Sequence, residues 1–364
     1  MTLTKKIIAL VLAMGISFII GLVALELLFG GWIRTPDGWR AADRLNLIRD
    51  RTMNYDVTNI YGEAAPPVTY SRDIYGLRGS CTDPSAIDVV TIGGSTTDQR
   101  YISDGETWQD VLQEEIRQRT GDEMFCVTNA GVDGHSTYGH TASLDAWFPL
   151  IPDFKPSRYI IYAGINDAGF RDGPNLGFDS VDSTSWKSKS VLWRIARTVK
   201  QAWESRGGGT SDRVYAGHAL QEITPDLYTA TSASPGTAAL IQANTEAFRR
   251  NMEQLLTSIR EAGGTPVCVS QPHQFVRTIN GELQGATKAF SHDGADFNGI
   301  DYDQSLRTLN VVLEEMCPAY DGLYINLTDA PFDPSDYYDW VHMTPQGAEK
   351  VGTALAKELS AAST

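Results

Sequence analysis

The stretch VVTIGGSTTDQR, residues 89–100, sets a run of β-branched residues directly before two glycines and a serine. Short runs of Val, Ile and Thr bounded by turn formers have the composition of a buried parallel strand. A serine just past such a strand, where the chain turns into a helix, presents its hydroxyl at the strand's carboxyl edge. Gly93 and Gly94 let the backbone bend there without a Cβ clash. Taken alone, Gly-Gly-Ser is an ordinary turn. Ser95 becomes a candidate nucleophile only if the rest of the chain brings a base and oxyanion donors to the same edge.

Similar apolar runs recur outward from this one, at 87–92 (IDVVTI), 124–129 (MFCVTN), 158–163 (RYIIYA), 266–271 (PVCVSQ) and 323–327 (LYINL). Helical patterns lie between them. In Glu106–Arg119, Trp108, Val111, Leu112 and Ile116 share a face, with Ser103 or Asp104 available as cap. In Thr245–Ala262, Phe248, Met252, Leu255, Leu256 and Ile259 repeat at helical spacing before Gly263-Gly264. Leu306–Met316 and Pro345–Leu359 are further helix candidates, the last with proline in its first turn. Strands alternating with helices imply a parallel sheet covered on both faces, a three-layer α/β/α sandwich of about five strands. Ligands of such sheets bind beyond the carboxyl ends of the strands.

The rhythm breaks between about 170 and 236, read as an insertion between the third and fourth strands. It holds one plausible helix near Val191–Ala202 and has the composition of a substrate wall, a lid or a linker. Milder polar loops follow at Thr278–Gly299. These boundaries divide the chain into an N-terminal segment (1–30), a linker and extended arm (31–85) and a main domain (86–364).

Composition bounds the function. A net charge of −15 with a pI near 4.8 leaves no basic face for nucleic acid. After Lys5 and Lys6, 22 residues from Ile7 to Leu28 carry a single charge, Glu26. That length spans a hydrocarbon core of roughly 30 Å. With no small-x-small cleavage site before Thr35, an uncleaved membrane anchor is favoured over a signal peptide. Arginines at 34, 40, 44, 49 and 51 pull against the orientation that Lys5 and Lys6 favour. The cysteines Cys81, Cys126, Cys268 and Cys317 form no CxxC pair, the first two flanking one strand-helix unit and the last two another. An even, well-separated set suits disulfides outside the cytoplasm, and four buried thiols are the alternative. The main domain is therefore expected on the extracytoplasmic side, tethered by its N-terminus.

Near the C-terminus YYDWVHMTPQG, residues 337–347, places Asp339 three residues before His342 and directly before a helix start. A serine hydroxyl needs an imidazole to take its proton, and the imidazole needs a carboxylate to fix its tautomer. In isolation, a capping aspartate beside an exposed histidine explains the pair better. Two more pieces fall at strand ends. TNAGVDGHST (128–137) offers glycine N–H groups, and YAGINDAG (162–169) offers the Asn166 amide as a donor to a developing oxyanion. Ordinary turns have no reason to bring a nucleophile, a base pair and two oxyanion donors to one edge.

In this order — G-x-S after strand one, Gly after strand two, G-x-N-D after strand three, D-x-x-H near the end — the chain resembles the SGNH/GDSL hydrolase superfamily. The resemblance spans Ile87 to about Leu359 and implies a flavodoxin-like sandwich and a serine esterase. By position it makes Ser95 the nucleophile, His342 the base and Asp339 its orienting partner. The N–H groups of Ser95 and Gly134 and the side chain of Asn166 become the oxyanion donors. The usual Gly-Asp-Ser-Leu is here Gly93-Gly94-Ser95-Thr96. With the YGLRG arm at 75–79, that form is more similar to a membrane-anchored bacterial branch sometimes linked to surface polysaccharide. The resemblance implies no metal and no organic cofactor, and an ester substrate such as an acylated polysaccharide. A polysaccharide acyltransferase, a lysophospholipase-like lipid esterase and a non-catalytic envelope binding protein are the alternatives. His135 and His140, five apart, suit a surface or supporting role better than a metal site. His273 is a candidate substrate wall, and Trp186, Trp193 and Trp203 suit helix packing or a sugar platform.

Overall fold

Five strands pair in parallel in the computed structural model: β1 (Val89–Gly93), β2 (Val127–Asn129), β3 (Arg158–Tyr162), β4 (Thr265–Val269) and β5 (Leu323–Ile325). Their order is β5-β4-β3-β1-β2. The connection direction reverses between β1 and β3, which makes the crevice above these two strands the topological switch point. The structure describes residues 2–30, 38–170 and 223–362. Between the last two ranges it describes only 173–174, 179–180, 190–193, 195–196 and 213–215. Most of the helix expected near 191–202 lies outside the described residues, as do Trp186 and Trp203.

Alternate strand residues feed two cores. Val90, Ile92, Ile161 and Cys268 pack with Phe248, Met252 and Leu255 of α3 (Thr237–Glu261) and with Leu309 and Leu313 of α4 (Gly299–Ala319). Val89, Ile160, Val267 and Val269 pack with Trp108 and Leu112 of α1 (Trp108–Thr120) and with Val351 and Leu355 of α5 (Pro345–Ala361). A further helix, α2 (Thr137–Ala146), follows β2. Each fully buried aliphatic side chain in these cores contributes about 1.5–3 kcal/mol.

Several boundaries differ from expectation for identifiable reasons. Thr107 and Asp110 form the capping box of α1, because Asp104 is engaged elsewhere, accepting from Arg78 Nε at 2.8 Å and from the Ser71 N–H at 3.2 Å. The start of α3 lies upstream of Thr245, in turns whose two buried residues, Thr237 and Asn244, are polar, so no apolar stripe marks them. The first turns of α4 bury Asp301, Asp303 and Ser305, polar residues that hide the periodicity. The region 278–299 is not a set of polar loops. It holds two hairpins, Val276–Ile279 with Glu282–Ala286 and Phe290–His292 with Ala295–Phe297. Their turns are Asn280-Gly281 (φ 53° and 84°) and Asp293-Gly294 (φ 47° and 78°), both left-handed pairs.

The stretch before the sheet is ordered. Arg51–Asp56 and Val68–Arg72 pair antiparallel, and the pleat of the second strand buries Val68, Tyr70 and Arg72. Cys81 is joined to Cys126, and Cys268 of β4 to Cys317 of α4, with Cα separations of 6.0 and 6.1 Å. Unreduced protein in denaturant should therefore show no titratable thiol, and four after reduction; four before reduction would remove both pairs.

The N-terminal helix Leu3–Phe29 includes Thr4–Phe29, with a mean hydropathy of 2.8, long and apolar enough to cross a membrane. Its Glu26 accepts hydrogen bonds from the Ser190 hydroxyl and from the N–H groups of Val191 and Leu192.

Candidate active site

Beyond β1 the chain turns at Gly94 into a short helix, Ser95–Asp98. Neither glycine of the doublet has a positive φ; both are required by close approach. A Cβ on Gly93 would meet the Thr97 side chain and lie 2.7 Å from the Tyr162 carbonyl. One on Gly94 would meet the Asn166 amide and lie 2.9 Å from the His135 carbonyl. Ser95 is thereby held against the loops that follow β2 and β3.

His342 Nε2 lies 2.7 Å from Ser95 Oγ, and His342 Nδ1 lies 2.7 Å from Asp339 Oδ2. The spacing of three works through the backbone. Asp339 Oδ1 accepts the N–H groups of Val341 and His342 at 2.9 and 2.8 Å, which closes a tight turn and leaves Oδ2 for the ring. Burial pushes the Asp339 carboxyl up, but the imidazole and the two N–H donors outweigh this and hold it below its ordinary value. A carboxylate so held accepts the Nδ1 proton and leaves Nε2 facing the serine as acceptor. Tyr338 lies nearly parallel to the imidazole, at 5.4 Å between ring centroids and 6° between planes. The T-shaped partners Tyr61 and Tyr101 lock Tyr338 in turn.

The expected oxyanion donors converge on the same edge. Gly134 has φ +84°, which an L side chain would strain. Among the described residues no acceptor engages the backbone N–H of Ser95 or of Gly134. Asn166 Nδ2 donates to the His135 carbonyl at 2.8 Å, which fixes the amide plane beside Gly94. His135 and His140 are buried, at 2% and 1% exposure, so a surface role is excluded. His135 Nε2 sits 2.8 Å from the Leu45 carbonyl, and its backbone oxygen orients Asn166. Trp193 is exposed at 41%.

Four bracing residues carry no local signature of their role in the sequence. Gln271, just past β4, donates to Thr96 Oγ1 at 2.7 Å and accepts the Ile165 N–H at 3.0 Å, tying the Ser95 turn to the Asn166 loop. Asp167 caps α2 through the N–H and hydroxyl of Thr137. From the arm, Arg72 donates to Asp98 and to the carbonyls of Asn129 and Gly131, while Arg78 donates to the carbonyls of Asp98, Gln99 and Ile102. The period-two burial of Val68, Tyr70 and Arg72 was the available signal for the first arginine.

A cavity of about 360 Å³ is lined by residues of the 272–278 segment, of α4 and of the stretch that follows β5. Gln274 braces that segment on the Asp339 loop, donating its N–H to the Trp340 carbonyl at 2.8 Å and its amide to the Asp339 carbonyl at 3.2 Å. His273 lines the cavity and lies 3.3 Å from Asp303.

Comparison with known proteins finds one family match and several remote likenesses. Residues 91–350 match the model of the GDSL-like lipase/acylhydrolase family. A curated relative, protein rliB of Dictyostelium discoideum, is 25% identical over 161 residues, 42% of this chain and 14% of that protein. Among solved structures, a G-D-S-L lipolytic protein from Desulfitobacterium hafniense aligns over 74% of this chain and 97% of its own, at 12% identity and a TM-score of 0.39. An acetylxylan esterase variant from Geobacillus stearothermophilus aligns over 74% and 93%, at 10% identity and a TM-score of 0.40. An arylesterase-type structure from Agrobacterium tumefaciens aligns over 75% and 98%, at 17% and 0.40. With the family model covering most of the chain and the 2-1-3-4-5 parallel sheet that carries it, this protein belongs to the GDSL-like lipase/acylhydrolase family of ester hydrolases.

Proposed function

We propose that the protein is a membrane-tethered serine esterase that removes acyl groups, acetyl in the first instance, from extracytoplasmic glycans. The observation that carries the reading is the unbroken chain from Ser95 Oγ through His342 to Asp339, with two contacts of 2.7 Å. In this mechanism His342 Nε2 takes the Ser95 proton as Oγ attacks the ester carbonyl. The Ser95 N–H, the Gly134 N–H and the Asn166 amide stabilise the oxyanion of the tetrahedral intermediate. His342 then protonates the departing alkoxide, and a water activated by the same imidazole hydrolyses the acyl-enzyme. A sugar hydroxyl in place of that water would make the reaction a transfer.

The apolar helix Thr4–Phe29 supports the tether, and two disulfide pairs support an oxidising compartment. Fluorophosphonate labelling of wild type and of Ser95→Ala tests the nucleophile, and wild type that stays unlabelled would leave a binding protein. Hydrolysis of p-nitrophenyl acetate, p-nitrophenyl octanoate and O-acetylated oligosaccharide then ranks the substrates; preference for octanoate favours the lipid esterase. Suppression of hydrolysis by added glycan acceptor identifies a transferase.

Asn166→Ala removes one oxyanion donor. It should lower kcat on p-nitrophenyl acetate on the order of a hundred- to a thousandfold with little change in KM. A variant within a few-fold of wild type removes Asn166 from the site.

A further inference from the structure

Two of the three oxyanion donors, the Gly134 N–H and the Asn166 amide, are held from the arm, outside the family-matched region that begins at residue 91. In the arm, the 3₁₀ turn Asp43–Leu45 ends at Asn46, whose backbone is left-handed at φ 59°. Ala42 and Leu45 are fully buried in the core that also holds Leu144 of α2, so this turn is seated on the helix that follows the Gly134 loop. Its last residue and Asn46 reach that loop by different routes.

Asn46 Nδ2 donates to the Asp133 carbonyl at 3.1 Å. That carbonyl and the Gly134 N–H belong to one planar trans peptide and point in opposite directions, so fixing the oxygen fixes the line of the N–H. The peptide needs fixing. Residues 132–135 form a β-turn, closed by the His135 N–H on the Val132 carbonyl at 3.1 Å. Gly134, third in the turn, has φ +84°, and Asp133 is not left-handed, which makes the turn type II. Types I and II differ by rotation of the peptide between the two central residues, here the one that carries the Gly134 N–H. A peptide that accepts at its oxygen also donates more strongly at its N–H.

The Leu45 carbonyl lies 2.8 Å from His135 Nε2, and since a carbonyl only accepts, Nε2 carries the proton. The His135 backbone oxygen in turn takes one N–H of the Asn166 amide at 2.8 Å, which leaves the second for an oxyanion. We propose that Leu45 and Asn46 are positioning residues of the oxyanion hole, Asn46 setting the Gly134 N–H through the Asp133–Gly134 peptide and Leu45 setting the Asn166 amide through His135. The inference rests on the reading of Ser95 as nucleophile and of Gly134 and Asn166 as oxyanion donors.

Asn46→Gly is the deciding variant, because glycine takes the left-handed turn without steric cost and removes only the amide. If Asn46 served only to end the 3₁₀ turn, the change would be neutral. On p-nitrophenyl acetate, kcat per fluorophosphonate-titrated site should fall by about ten- to a hundredfold with KM near wild type, since a displaced donor costs up to what a missing one does. Affinity for phenylboronic acid, whose serine adduct places an oxygen where the oxyanion forms, should weaken in step. Asn46→Asp, of the same size without the N–H donor, should lose at least as much. His135→Leu should lower kcat in wild type but add little in an Asn166→Ala background, where Asn46→Gly should keep its full effect. Wild-type kcat per site in both Asn46 variants overturns the proposal, as does a loss confined to the number of titratable sites, which marks a folding role. A His135→Leu loss undiminished by Asn166→Ala overturns the Leu45 route. If Ser95→Ala keeps wild-type turnover, the reading of the site itself fails, a result separable from the others.

Discussion

His342→Ala should lower kcat on p-nitrophenyl acetate by on the order of 10⁴- to 10⁶-fold, with KM near that of wild type. Fluorophosphonate labelling should slow in parallel, because the Ser95 hydroxyl, 2.7 Å from Nε2, loses the group that takes its proton. Ser95→Ala should fall equally far, and the double variant Ser95→Ala/His342→Ala no further, since groups that act as one unit do not contribute additively. Asp339→Asn tests the orienting role separately. Oδ1 of this residue also closes the turn on two backbone N–H groups, so an amide that keeps its oxygen there presents NH₂ to Nδ1. The imidazole is then driven to the tautomer with its proton on Nε2, facing the serine, with a loss of about 10⁴ and little change in stability. Additive losses in the double variant would sink the assignment of Ser95 and His342 to one catalytic unit.

The legibility of this site in the sequence was uneven, for physical reasons. Ser95, Asn166, Asp339 and His342 each sit in a short local motif whose neighbours announce a strand end, so their edge could be inferred without coordinates. The Asp339–His342 pair is wholly local: its geometry is closed by the N–H groups of Val341 and His342. Gln271 and Arg72 act over long sequence separations, and nothing near them specifies their partners. Gln271 looks like any polar residue after a strand until Thr96 and Ile165 are placed around it. The hairpins at 276–286 and 290–297 are a different case. Asn-Gly and Asp-Gly are strong hairpin signals, but the strands beside them are short and partly exposed, so composition alone makes them look like loops. The doubled glycine was legible as a tight bend. Its cause, the Asn166 amide and the Thr97 side chain pressed against the two Cα atoms, is a tertiary fact.

Arg72→Met should destabilise the fold by about 3–5 kcal/mol. Arg72 is fully enclosed and all five of its guanidinium N–H groups are engaged. Nε donates to the Tyr70 hydroxyl at 2.8 Å, Nη1 to the carbonyls of Gly76 and Asn129 at 3.0 and 2.9 Å, and Nη2 to Asp98 and to the Gly131 carbonyl at 2.7 Å. Methionine leaves the carbonyls of Gly76 and Gly131 without this donor, while Asn129 keeps the Arg78 N–H, and it leaves Asp98 with the Tyr70 hydroxyl at 2.7 Å and the longer contact to Arg100 at 3.3 Å. Lysine has three donors and cannot reproduce the planar fork, so Arg72→Lys should fall between the two. Arg72→Met/Asp98→Leu removes the carboxylate that has lost its main partner and should recover part of the loss, which separates the cost of weakened charge pairing from the cost of lost packing. The pH dependence has a definite sign. Burial pushes the Asp98 carboxyl up, but Arg72 and Arg100 outweigh it and hold the group below its ordinary value of 3.8. Its contribution is therefore complete above the unfolded value, about pH 4, and is lost as the pH falls through the lower folded value. Denaturant midpoints of wild type should drop as the pH falls below about 4, and those of Arg72→Met should drop less, because the charged form has already lost its main partner. The functional consequence follows from which loops the side chain joins: Asp98 ends the helix that begins at Ser95, and Asn129 and Gly131 lead into the loop of Gly134. In the folded fraction of Arg72→Lys, kcat should fall while substrate KM changes little; a lysine variant with wild-type kcat and stability would show that the arm only covers the site and does not hold it.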